Sequence, residues 1–371
     1  MKHRDIVPKL LAWFAQNARD LPWRRTRDPY AIWVSEIMLQ QTQVKTVLPY
    51  WERWMRALPN LAVLAKAKPP ILHKLWEGLG YYTRVRNLHR AAQLIMAQHD
   101  GHFPRDFEDV LALPGIGRYT AGAICSIAYN EVRPILDGNV MRVLTRCYGI
   151  AGNPRERKVN ARLWQLAEEL VQQAAKIGVR TSTSPRASRI THHAPRPCAH
   201  FNESLMELGA LVCTPREPRC GVCPIAKHCA AYQQGRVLEL PSRSRPIRAT
   251  SRRFVAFVAQ KGGRFLVRQR PAGEVNAHLW EFPNLELTPD DNDLKRAARS
   301  ALGARAEAID LLGTIKHSIT RYRITLEAYR VTIRQAAATP ARKGRWLGLS
   351  ELHKLAFTSA HKQILRRLGS R

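Results

Sequence analysis

The sequence predicts a multidomain chain: an all-α domain carrying a helix–hairpin–helix and a cysteine-rich loop, followed by a smaller α+β domain. Three observations carry this. Up to about residue 170, apolar residues recur at three- and four-residue spacing, as in Trp33, Ile37, Val44, Val47 and Leu48. Beyond 253 the period shortens to two, as in Tyr322-Arg-Ile-Thr-Leu-Glu-Ala-Tyr-Arg-Val-Thr-Ile. Between them, 241–253 is rich in Pro, Ser and Arg and reads as a connector. The expected boundaries are 1–235 for the helical domain, 236–252 for the linker and 253–371 for the second domain.

Each element has its own signal. Asp28-Pro29 opens one helix, Leu58-Pro59-Asn60 ends another, and Gly78 and Gly80 bracket a turn. A helix–hairpin–helix is expected at about 108–130. Residues 201–229 hold a short helical pattern and then the cysteines. In the second domain, Phe254-Val-Ala-Phe-Val-Ala-Gln, Gly262-Gly263 and Arg264-Phe-Leu-Val-Arg-Gln-Arg read as a β-hairpin, with a short helix at Asp293–Leu302. One segment, 172–200, fits neither pattern. It carries Lys176, Arg180, Arg186, Arg189 and Arg196 and no acid, so it reads as a surface loop or a basic arm.

Composition narrows the function. The 371 residues hold 60 Lys+Arg against 29 Asp+Glu, a net charge of +31, and 45% are hydrophobic, too many for a disordered basic tail. No apolar run approaches the roughly 20 residues of a membrane helix. Met1-Lys2-His3-Arg4-Asp5 lacks a signal peptide's apolar stretch, so a soluble intracellular protein is expected. Such an excess of positive charge points to a polyanion, nucleic acid first.

Cys213, Cys220, Cys223 and Cys229 follow the spacing C-x6-C-x2-C-x5-C. Four thiolates so close in sequence suit zinc or an iron–sulfur cluster. A single C-x2-C knuckle, where zinc ribbons pair two, favours iron–sulfur. Leu113-Pro-Gly-Ile-Gly-Arg contains L-P-G-x-G between helical patterns. Gly115 and Gly117 permit a tight turn, and Arg118 opens the next helix, whose N-terminus suits a DNA phosphate. Two acids stand out. Glu36 shares a helix face with Gln40 and Gln43 and has Trp33, Val34, Ile37 and Met38 around it. It is either an exposed helix carboxylate or a desolvated general acid. Asp137, in Ile135-Leu-Asp-Gly-Asn-Val, reads as a helix cap, which is compatible with catalysis.

These motifs occur together: L-P-G-I-G-R-Y-T-A-G, I-L-D-G-N-V, S-E-I-M-L-Q-Q-T-Q-V, G-L-G-Y-Y at 78–82 and the four cysteines. In this combination and order the chain resembles the endonuclease III superfamily of helix–hairpin–helix DNA glycosylases, and within it the MutY-type adenine DNA glycosylases. The resemblance covers nearly the whole chain apart from 172–200. It implies removal of adenine mispaired with 8-oxoguanine or guanine, base excision repair of double-stranded DNA, a 4Fe–4S cluster at 213–229 and a Nudix-like second domain that recognises 8-oxoguanine. Glu36 matches the acid that protonates adenine, and Asp137 the carboxylate facing the oxocarbenium ion. Tyr119 and Asn139 match residues that support these acids. Arg24 and Glu203 match contacts to the flipped adenine, and Gln41 and Tyr81 match residues inserted into the DNA stack, with Tyr81 beside the 8-oxoguanine. Tyr119 stands where relatives with lyase activity carry a lysine. That favours a monofunctional hydrolase over a bifunctional pyrimidine glycosylase/lyase. A catalytically inactive iron–sulfur DNA-binding relative is the remaining alternative.

The second domain departs from the family pattern twice. Leu279-Trp-Glu-Phe-Pro matches, but His278 stands where the family has Gly. Ile319-Thr320-Arg321 replaces Phe-Ser-His, so Thr320 keeps a hydroxyl for 8-oxoguanine while the aromatic wedge is lost. No hydrolase-type glutamate box appears. A monomer in the bacterial cytoplasm, associated with the nucleoid, is expected; repair or replication protein partners are unreadable.

Overall fold

A computed structural model describes residues 3–182, 196–242, 249–288, 291, 293–319, 321–333 and 344–369. The chain divides into two compact units, one of residues 1–66 and 87–245, the other of residues 67–86 and 246–371.

The helices before the linker are α1 (His3–Asn17), α2 (Pro29–Leu39), α3 (Val44–Ala57), α4 (Leu61–Lys66), α5 (Pro69–Trp76), α6 (Thr83–Gln98), α7 (Phe107–Ala112), α8 (Arg118–Tyr129), α9 (Gly138–Tyr148), α10 (Arg157–Ser182), α11 (Pro197–Leu211) and α12 (Ala230–Gln233). The organising element of the first unit is α11, which packs on α1, α8, α9 and α10. Phe201, Leu205 and Leu208 enter one core with Val140, Val143, Leu144, Leu166 and Leu170. Polar contacts fix its register. Buried Asn202 donates to Ser126 Oγ at 2.8 Å and to the Arg133 carbonyl at 2.9 Å. Asn130, at φ +59°, ends α8 in the left-handed conformation, and its side chain accepts from the first amides of α11, Cys198 and Ala199. Gly122 lets α8 approach the next segment closely, for a Cβ there would stand 2.3 Å from the Pro134 carbonyl oxygen.

The expected loop at 172–200 is corrected by this structure. Helix α10 continues through Ser182, because Leu163, Leu166, Leu170, Val171 and Ala174 form one buried stripe at helical spacing and proline appears only at 185. Residues 197–200 already belong to α11, and 183–195 lie outside the described residues. Nor is Arg196 part of a free basic arm, since it donates to the carbonyls of Ile127 and Ala128.

The second unit is built on strands β1 (Thr250–Lys261), β2 (Arg264–Gln269), β3 (Trp280–Glu281), β4 (Asn284–Leu287), β5 (Ala306–Ile319), β6 (Tyr322–Ile333) and β7 (Arg345–Gly348). They are joined by α13 (Leu294–Leu302), α14 (Leu349–Lys354) and α15 (Ser359–Leu368). Strand order is β3-β2-β1-β6-β5, with β4 also on β1 and β7 also on β2. The central pair β1/β6 is parallel, with Phe254 opposite Leu326; the other pairs are antiparallel. The expected hairpin closes at Lys261 opposite Arg264, and Gly262 and Gly263 supply the positive φ angles, +52° and +73°, that a two-residue turn demands. Strand β1 is buried on both sides. Val255, Phe257 and Ala259 face Ala298 and Leu302 of α13, while Ala256 and Val258 pack with Phe282, Phe357 and Ile364.

Two expected boundaries shift. Strand β1 starts at Thr250, inside the expected 236–252 linker, and Leu240 in that stretch is buried at 2% exposure in the first unit. Segment 67–86, expected in the helical domain, packs with the C-terminal unit. Among the described residues no helix is long and apolar enough to cross a membrane.

Candidate active site

Glu36 is delivered by α2. The Asp28 side chain caps this helix by accepting from the Tyr30 amide, and Pro29 starts it with a preset φ. The helix is buried almost all round, with Trp33, Val34, Ile37 and Met38 at 3% exposure or less, so Glu36 itself is only 5% exposed. The desolvated alternative therefore holds for Glu36. The shared helix face expected for Gln40 and Gln43 does not form. The helix stops at Leu39, Gln40 leaves it at ψ 109°, and Gln41 turns the chain at φ +57°. Glu36, Gln40, Gln41 and Gln43 nonetheless line one cavity of about 750 Å³.

Tyr119, Asp137, Asn139, Arg24 and Glu203 line the same cavity. The Tyr119 hydroxyl donates to Glu36 Oε2 at 2.7 Å. Burial pushes the Glu36 carboxyl up to about 7, opposed by the Tyr119 hydrogen bond and reinforced by the neighbouring charges of Asp137 and Glu203. Tyr119 itself is raised well above its ordinary value, by burial first and then by the carboxylates. Asp137 is the N-cap of α9: one oxygen accepts from the Val140 amide at 2.7 Å, the other from Asn139 Nδ2 at 2.9 Å. Burial raises Asp137, and those two donors work against it by stabilising the anion.

Asn139 is held in turn. Its Oδ1 accepts from Arg142 at 2.8 Å, and the same guanidinium donates to the carbonyls of Gly209 and Cys213. Gly209 leaves the room this needs, because a Cβ there would stand 2.6 Å from the Asn139 Cβ.

In the same cavity, Arg24 lies 3.4 Å from Glu203 and 3.0 Å from Glu207. Glu207 is fully buried and also accepts from the Arg19 amide and guanidinium at 2.7–2.8 Å. Burial would raise this carboxyl, but the two arginines overcome it and hold it at about 2. Glu203 has the weaker partner, and burial pushes it to about 7. Arg19, Glu207 and Arg142 were not singled out from the sequence. The available signal for Glu207 was its spacing, one helical turn after Glu203 and so on the same face of α11.

The remaining expected residues lie elsewhere. Gly115, at φ +81°, and Gly117, the N-cap of α8, form the turn between α7 and α8, and the Arg118 guanidinium stacks 4.0 Å above the Trp164 ring. Tyr81 belongs to the second unit, at φ +47° and 48% exposed. Also in that unit, His278 adopts φ +68°, the conformation for which the family's glycine is suited, and its ring stacks on His73 at 6.2 Å. Thr320 lies outside the described residues.

Cys213, Cys220, Cys223 and Cys229 share the loop after α11, each half-buried. They are near enough for Cys213, Cys220 and Cys229 to raise Cys223 electrostatically, on top of the burial that pushes it to about 12. Arg146, 2% exposed, donates to Cys213 Sγ at 3.3 Å. Among the described residues no three or more His, Cys, Asp or Glu side chains are set around one point as a metal centre. The donor set is that of a four-thiolate centre, and the adjacent arginine suits its negative charge.

A family model described as "HhH-GPD superfamily base excision DNA repair protein" matches residues 34–169, and one described as "NUDIX domain" matches 254–367. The chain is similar to the adenine DNA glycosylase of Mus musculus, 36% identical over 415 residues, covering 96% of this chain and 76% of that one. It is similar to the Homo sapiens adenine DNA glycosylase at 34% identity, covering 96% and 72%. Among solved structures it is similar to a thermostable thymine-DNA glycosylase, 28% identical with a TM-score of 0.52, covering 63% of this chain and 97% of that one.

Proposed function

The chain belongs to the adenine DNA glycosylases, and from that premise we propose that it hydrolyses the N-glycosidic bond of adenine opposite 8-oxoguanine or guanine, as a monofunctional enzyme. The observation that carries this is one cavity in which a desolvated acid, Glu36, and a capped carboxylate, Asp137, both face the space a flipped base would fill. Adenine leaves poorly as an anion. With its carboxyl near 7, Glu36 is substantially protonated at neutral pH and donates to adenine N7, so that a neutral base departs. Asp137, whose anionic form the Val140 amide and Asn139 favour, stabilises the oxocarbenium character left on the sugar. Water then attacks C1′ and an abasic site remains. Tyr119 orients Glu36 and, carrying no amine, forms no Schiff base with the sugar, which argues against the lyase alternative.

Arg24, itself held by Glu207, and Glu203 form the wall against which the adenine is read. Gln41, exposed at positive φ on the cavity rim, and Tyr81 are assigned to the opened stack, and the turn at Gly115, Gly117 and Arg118 to the DNA backbone. Thr320 is assigned to 8-oxoguanine. Cys213, Cys220, Cys223 and Cys229 would hold a 4Fe–4S cluster, whose contribution is to order the loop that follows α11. The net charge of +31 suits a monomer working on the nucleoid in the cytoplasm.

The test is an end-labelled duplex with one 8-oxoguanine·A pair, beside a G·A control, incubated with and without alkali. Strand breaks at the adenine only after alkali support the proposal. Breaks without alkali favour the lyase reading, and no breaks from a protein with intact cluster absorbance favour a DNA-binding relative.

A further inference from the structure

In the second unit, Glu77 ends α5 and immediately precedes the Gly78–Tyr82 turn. It is 4% exposed, yet neither oxygen is idle. Oε1 accepts from the Phe357 amide at 2.9 Å, and Oε2 accepts from Lys362 at 2.5 Å and Lys74 at 3.0 Å. Lys74 also donates to the Leu355 carbonyl at 2.8 Å. Burial alone would raise this carboxyl, but Lys362, the Phe357 amide and Lys74 together hold it below its ordinary value.

The groups it grips belong to the frame of the recognition domain. Phe357 bridges to Trp280, whose amide donates to the Ala356 carbonyl at 2.9 Å, and the Phe357 ring stacks on Phe282 at 5.7 Å. The turn itself is tight. Gly78, Gly80 and Tyr81 all take positive φ angles, +111°, +71° and +47°. Its carbonyls are held as well: Gly80 accepts from Trp76 Nε1 at 3.0 Å, and Leu79 from Arg84 at 3.0 Å. A non-glycine residue at positive φ persists only where its surroundings over-determine it.

We propose that Glu77 is a positioning residue: it latches the Tyr81-bearing turn onto the 355–362 segment, so that Tyr81 is presented at fixed height and angle for the base opposite the adenine. This rests on the assignment of Tyr81 to the 8-oxoguanine side of the stack. A carboxylate with three donors converging on it tolerates little displacement, and stacking depends on ring geometry. Loosening the latch blunts preference for 8-oxoguanine before it blunts chemistry, since the acids lie in the other unit.

The experiment compares single-turnover rates on 8-oxoguanine·A and G·A duplexes for the full-length protein and for Glu77→Gln, Lys362→Met, Lys362→Arg and Tyr81→Ala. Glu77→Gln and Lys362→Met are expected to lower the 8-oxoguanine·A to G·A ratio about ten-fold, and Lys362→Arg to restore most of it. Tyr81→Ala tests the assignment beneath. If it lowers the ratio but the latch variants do not, the latch is overturned and the Tyr81 reading stands. If it leaves the ratio unchanged, both fall. Should Glu77→Gln fail to fold by thermal melt, the contrast between Lys362→Met and Lys362→Arg decides. An equal fall on both substrates in Lys362→Met would reduce Glu77 to a structural role and overturn the proposal.

Discussion

Removing the Tyr119 hydroxyl should move the pH–rate profile in a direction that the geometry fixes. The hydroxyl donates to Glu36 Oε2 at 2.7 Å, so it stabilises the charged carboxylate and holds the carboxyl lower than burial alone would set it. In Tyr119→Phe that restraint is gone and an apolar edge replaces it, so the carboxyl rises. A hydrogen bond to a charged group contributes about 1.5–3 kcal/mol, and each pH unit corresponds to about 1.4 kcal/mol, which places the shift at about one to two units. In the proposed reaction Glu36 must be protonated, so the rate is expected to fall as pH rises through its value. In the parent that alkaline limb is expected near pH 7, and in Tyr119→Phe at about pH 8–9. The plateau below it should also drop, by about ten-fold, because a weaker acid transfers its proton less readily. The assay is single-turnover adenine excision from an 8-oxoguanine·A duplex between about pH 5.5 and 9.5, scored by alkaline strand scission. A limb that stays in place, or moves acidward, refutes Glu36 as the proton donor.

Three further outcomes are expected. In Asp137→Asn the cap to the Val140 amide survives, but the new amide nitrogen meets Asn139 Nδ2 donor against donor; stability should fall by about 1–3 kcal/mol while the rate falls by about 1,000-fold or more. A mild loss of rate would leave Asp137 as a cap only. The native pKa of Glu36 lies above its unfolded value, so the stability it contributes is complete at acid pH and is lost as pH rises from about 4.5 through 7. Glu36→Gln has no such loss and should gain about 3 kcal/mol relative to the parent between pH 5 and pH 8.5, read from urea midpoints at the two values. Gly209→Ala puts a methyl 2.6 Å from the Asn139 Cβ; it should cost about 1–3 kcal/mol of stability and lower the excision rate more than substrate binding, measured by single-turnover kinetics against a binding isotherm.

What the sequence made legible was local in origin. Asp28 before Pro29, Gly262-Gly263 between alternating runs and Asp293 before α13 each act on neighbours within a few residues, and each does in the structure what its chemistry predicts. Glu36 was singled out because four large apolar residues flank it within five positions. The end of α2 was missed, since Gln40 and Gln43 continue a helical pattern that only the turn at Gln41 interrupts. The tail of α10 is illegible for the opposite reason: the abrupt change of composition after it masks Val171 and Ala174, which keep the buried stripe going. Glu207 and Glu77 could not be read as buried, since their partners lie 188 and 183 residues away for Arg19 and Arg24, and 285 for Lys362. Strand β5 alternates poorly and owes its place to pairing with β6 along its whole length.

The cavity draws its chemistry from residues 24, 36, 119, 137 and 203, so no short stretch of the chain contains it. In an emerging polypeptide Glu36 is an ordinary carboxylate, ionised and surrounded by water. Its carboxyl rises to about 7, as the proposed proton donor requires, only when α2, α8, α9 and α11 close around it. The proposed capacity to break a glycosidic bond therefore depends on the packed helices and not on any one of them. A chain that stalls short of the native state keeps its positive charge and its affinity for nucleic acid, but does not cut bases from the genome that encodes it.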